Sequence, residues 1–113
     1  MIPRKPLIAL TAVLVLALAA PAAADADYGA IAVNTRTNAT GVGYGYPTKD
    51  GAQRRAEKEC QGICRKALWV RNHCGALSVN KRGRYFTEFG RSAHKAKKRA
   101  RRHGRLLAWV CSG

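Results

Sequence analysis

Four cysteines, Cys60, Cys64, Cys74 and Cys111, carry the most definite chemistry in this chain. In an oxidising compartment an even set pairs into disulfides, and four cysteines allow three connectivities. The competing use of such thiolates is zinc, with Cys60, Cys64, His73 and Cys74 offering sulfur and imidazole ligands. Their spacing is not that of a zinc finger, and exported thiols oxidise. The Cys-x-x-x-Cys run at 60–64 is also one residue longer than the Cys-x-x-Cys of thiol oxidoreductases. Two disulfides are expected, with no metal and no cofactor.

Hydrolytic chemistry needs a base, a nucleophile or paired acids that converge. Here the acids are few: Asp25, Asp27, Asp50, Glu57, Glu59 and Glu88. Glu57 and Glu59 stand two apart on a helical pattern and point in different directions. His94 and His103 lie in a basic stretch, and Ser78, Ser92 and Ser112 fall in a strand, at a cap and at the end. No catalytic residue is assigned, and a non-enzymatic protein is expected.

Charge gives the one directional signal. The chain has 21 Lys plus Arg against 6 Asp plus Glu; setting aside Arg4 and Lys5 leaves 19 against 6, a net +13 over residues 25–113. Such a field favours polyanions as partners. The cations concentrate between His94 and Arg105. On a helix, Lys95, Lys98, Arg102 and Arg105 recur every three or four residues as one ridge, Lys97 and Arg101 form a second, and Arg99 lies among them. These seven residues are the candidate polyanion-binding set. The expected partner is an anionic envelope polymer, an acidic membrane surface or nucleic acid, reached through the second helix. The alternative is a protein-binding inhibitor, immunity or effector protein that uses loops 35–40 and 81–83.

The elements that must position these residues follow a basic start and an apolar run. Arg4 and Lys5 precede the apolar residues 7–20, and Pro21-Ala22-Ala23-Ala24 supplies the small residues of a signal-peptidase site. The 14 residues of the run fall short of a spanning helix, for which about 20 are needed. Residues 1–24 therefore read as a signal peptide, with Ala26 the other cleavage site, and 25–113 as one mature domain, secreted or periplasmic.

Within it the chain repeats. Gly29-Ala30-Ile31-Ala32-Val33-Asn34 matches Gly75-Ala76-Leu77-Ser78-Val79-Asn80, and Ala67-Leu68-Trp69-Val70 before Cys74 matches Leu107-Ala108-Trp109-Val110 before Cys111. Small residues four apart, Ala52, Ala56 and Cys60 and then Ala96, Ala100 and Gly104, give each copy a helix able to lie close on a sheet. Second strands at 41–46 and 84–89 follow turn signals, and Asp50 and Ser92 are candidate N-caps. The unit is strand, strand, helix, strand, with repeat one at 28–74 and repeat two at 75–113. The expected fold is α+β: a mostly antiparallel sheet with both helices on one side. Repeat equivalence favours pairing Cys74 with Cys111, leaving Cys60 with Cys64.

Tyr28-Gly29-Ala30-Ile31-Ala32, the Ala52, Ala56, Cys60 stripe, Cys74-Gly75-Ala76-Leu77 and the closing Trp109-Val110-Cys111-Ser112 together resemble the bacterial secreted family catalogued as domain of unknown function 4189. The resemblance implies a secreted, cysteine-containing domain and no particular reaction. Where members often carry a further cysteine pair near the second helix, this chain has His103 and Gly104.

Overall fold

The computed structural model describes residues 27–113; the expected signal peptide and both expected cleavage sites lie outside the described residues. Each repeat forms the same four elements. The first is β1 (Tyr28–Val33), β2 (Thr40–Tyr46), α1 (Lys49–Glu59) and β3 (Arg65–Arg71). The second is β4 (Cys74–Val79), β5 (Tyr85–Gly90), α2 (Ala93–Arg101) and β6 (Arg105–Cys111). Cys74 opens β4, so the structural break between the repeats falls in the turn before it.

The α+β character, the antiparallel pairing and the disulfide staples match the sequence reading. The single sheet with both helices on one side does not. There are two three-stranded antiparallel sheets, in orders β2-β1-β3 and β5-β4-β6, each with the first strand of its repeat at the centre. The physical reason is that both central strands are buried on both faces. On β1, Ala30 and Ala32 pack under Ala52 and Ala56 of α1, while Ile31 and Val33 point the other way. On β4, Cys74 and Ala76 pack under Ala96 and Ala100 of α2, while Leu77 faces Leu68, Val70 and Val110. The larger aliphatic faces meet between the sheets, and one helix covers the outer face of each. Each fully buried aliphatic side chain there contributes roughly 1.5–3 kcal/mol.

Both closing strands carry the same irregularity. Ile31 pairs with Leu68 and Ala32 with Lys66, which leaves Ala67 as an extra residue; Leu77 pairs with Ala108 and Ser78 with Leu106, which leaves Leu107 extra. These bulges break strict alternation, so that the successive residues Ala67-Leu68 and Leu107-Ala108 all reach the core between the sheets.

The helices differ in how they sit. A Cβ built on Gly41 or Gly43 would stand 2.1 Å from the Ala56 carbonyl oxygen or 2.4 Å from that of Ala52, so bare backbone on β2 lets α1 approach closely. The corresponding β5 positions are Phe86 and Glu88. N-caps follow the expected chemistry with one correction. Ser92 Oγ accepts from Lys95 N, but Thr48, not Asp50, caps α1, its Oγ1 accepting from Gly51 N; Asp50 lies inside the first turn.

Candidate anion-binding site

The disulfides are Cys60–Cys64 and Cys74–Cys111, and no described cysteine is free. All four sulfurs are therefore committed, and the zinc alternative has no thiolate to use. Cys74 and Cys111 are directly opposed on β4 and β6, with Cα atoms 4.0 Å apart and Ser112 N donating to His73 O beside them. The bridge thus ties two strands of one sheet, where repeat symmetry would have placed it between the halves. Cys60–Cys64 closes a short ring between α1 and β3.

The basic residues expected on one helical surface divide among several places. α2 ends at Arg101, Arg102 is its C-cap, and Arg105 is the first residue of β6, paired with Val79. The helix stops because the chain must turn back under β4. A Cβ on Gly104 would lie 2.2 Å from the Val79 carbonyl oxygen, so the turn passes there only as glycine. The four-residue ridge is consequently not one helical line. Lys95 and Lys98 are exposed on α2. The Lys97 ammonium lies 4.6 Å from the centroid of the Trp109 ring, and the Arg99 guanidinium donates to the Phe89 carbonyl oxygen.

Arg101, Arg102 and Arg105 instead converge on Lys81 and Arg82 of the β4–β5 turn. These five cations line an open groove of ≈ 800 Å³ together with Asn38, Val79, Asn80, His103 and Gly104, and no carboxylate lines it among the described residues. The sequence offers Lys81 and Arg82 as turn residues and as part of the loop of the protein-binding alternative, not as anion ligands, because sequence spacing does not place a turn against a helix end some 20 positions away. The negative end of the α2 dipole favours cations in its last turn and so accounts for Lys98, Arg99 and Arg101. It does not account for Lys81 and Arg82 in the facing turn, nor for Arg105 on a strand.

Neighbouring contacts fix the groove's wall. The His103 ring stacks on Phe86 with centroids 4.4 Å apart, and its Nε2 lies 2.8 Å from Glu88 Oε2. The turn itself is set by Asn80, whose Oδ1 accepts from both Arg82 N and Arg84 N. In repeat one the helix is nearly neutralised: aligning Ala52 and Ala56 with Ala96 and Ala100 puts Glu57 opposite Arg101 and Glu59 opposite His103, and Arg55 pairs with Glu59 at 2.7 Å. The charge of the second copy is thus an addition to the shared fold.

The chain is thus a duplicated, disulfide-stapled α+β domain with a cation-lined groove at the end of its second helix. Residues 28–106 match the family model described as Domain of unknown function (DUF4189), and the chain belongs to that family. No curated protein and no solved structure matches it.

Proposed function

We propose that this is an exported, non-enzymatic binding module that takes an anionic partner in the groove between the end of α2 and the β4–β5 turn. The observation that carries the reading is the convergence of Lys81, Arg82, Arg101, Arg102 and Arg105 with no carboxylate among the described lining residues. Arginine forks bond phosphate or carboxylate oxygens in pairs, while Lys81 adds a point charge. Export rests on the basic start, the apolar run and the small residues at 1–24, and fits a domain whose cysteines are all paired.

The test is retention on heparin or duplex DNA as salt is raised. Replacing Arg101, Arg102 and Arg105 by Gln should make the dependence of log affinity on log salt shallower, by up to about 0.9 for each phosphate of duplex DNA that is no longer neutralised. Unchanged retention would overturn the assignment of the groove. A second reading, a protein-binding inhibitor, immunity or effector protein, draws support from loops 35–40 and 81–83, which stand together because Asn38 and Lys81 line the same groove. An interface of that kind, held by apolar contact, would persist at high salt.

A further inference from the structure

The groove is one half of a larger surface, whose other half carries a residue that a hydrophilic polymer has no use for. In repeat one the equivalent turn and the α1–β3 loop form a second open depression, of ≈ 630 Å³, lined in part by Arg36, Ile63 and Arg65 and again by no carboxylate among the described residues. The two depressions adjoin, because the β1–β2 loop contributes residues 34–37 to one and Asn38 to the other, and Tyr85 of β5 bonds to that loop at Asn38. One end of the molecule therefore presents Arg36 and Arg65 beside the five cations of the groove.

From this end projects Ile63, whose relative exposure of 90% is the highest of the exposed large hydrophobics among the described residues. It is not left there by a loose loop. The Cys60–Cys64 disulfide closes the ring that carries it, and Asn34 Nδ2 donates to the Gln61 carbonyl oxygen at 2.9 Å. Gly62 turns the chain with φ 87°, and a Cβ there would meet Asn34 Nδ2 at 2.5 Å. The ring is pinned, and it holds the branched side chain out to water.

We infer that this end docks on an anionic lipid bilayer, with Ile63 entering the boundary between headgroups and acyl chains while the surrounding cations meet lipid phosphates. The inference rests on the anionic-partner reading above and narrows it to one partner. Cations alone would suit any polyanion. An apolar tip set among them gains free energy where hydrocarbon lies directly behind the negative charge, as it does in a leaflet of acidic lipids.

The experiment is co-sedimentation of the protein of residues 25–113 with vesicles of phosphatidylcholine alone or mixed with phosphatidylglycerol, beside heparin retention of the same samples. Binding is expected on the mixed vesicles and not on the neutral ones. Ile63→Ser should weaken vesicle binding about tenfold and leave heparin retention unchanged, while Ile63→Trp should strengthen it. Equal vesicle binding by parent and Ile63→Ser would overturn the membrane inference and leave the groove standing. Retention on heparin without vesicle binding would overturn it in favour of a soluble polymer. Failure on both would remove the anionic-partner reading itself, and this inference with it.

Discussion

The hydroxyl of Tyr85, in the second repeat, donates to Asn38 Oδ1 in the first and lies 3.4 Å from the Thr35 carbonyl oxygen. Asn38 takes the left-handed backbone region, with φ 67°, that its loop requires. This bond joins the halves at the cationic end, where no ion pair among the described residues does so. Tyr85→Phe should therefore lower stability by about 0.5–1.5 kcal/mol, the net value of an ordinary hydrogen bond. A urea midpoint that falls at unchanged slope would show it; an unmoved midpoint would mean that the two loops are held by packing alone.

The two disulfides should differ in what they contribute. Cys74–Cys111 spans 37 positions and Cys60–Cys64 spans 4. Chain entropy gives about 4 kcal/mol for the first and about 2 kcal/mol for the second. Replacing each pair by serine and comparing urea unfolding should place the variants in that order. The reverse order would show that the small ring stabilises the native state directly, through the Asn34 hydrogen bond to Gln61.

Close approach at two glycines should be unforgiving. Gly41→Ala would drive a methyl group into the Ala56 carbonyl oxygen, and Gly104→Ala into that of Val79. Backbone must shift in either case, at a cost of about 1–3 kcal/mol. For a domain of this size each kcal/mol lowers Tm by roughly 4–8 °C. Thr87→Ala, at an exposed position of β5, is the control and should melt as the parent does.

Much of the fold was legible because the repeat is written in residue size. Ala30 and Ala32 against Ile31 and Val33 mark two unequal faces of one strand, and Ala52 with Ala56 marks a helix that fits the smaller face. What the pattern could not say is that the larger faces of the two copies meet each other. Alternation within a strand is the same whether its second face lies on another sheet or on a helix, so one sheet and two sheets read alike. The bulges at Ala67 and Leu107 were hidden for a related reason, since an extra residue breaks the alternation that identifies a strand. At the site, helical spacing placed Arg105 on a ridge with Lys95, whereas Gly104 ends that line by packing under Val79. Charge counting found the second helix, but only the pairing of β4 with β5 and β6 brings Lys81 and Arg82 to its end.

Whether anions are taken at the groove or by total charge is decided by one comparison. Arg82, Arg101 and Arg105 replaced by Gln remove three charges from the groove; Arg54, Lys95 and Lys98 replaced by Gln remove three from exposed positions on the two helices. Net charge is the same in both variants, and the glutamines retain helix-forming side chains where the positions are helical. Affinity for duplex DNA is measured across a salt series. Uptake of anions at the groove requires a steep loss of affinity and a shallower salt slope for the groove variant, by up to about 0.9 per phosphate left without its cation, with the helix variant close to the parent. Equal losses in the two variants would contradict it, since binding would then follow charge alone.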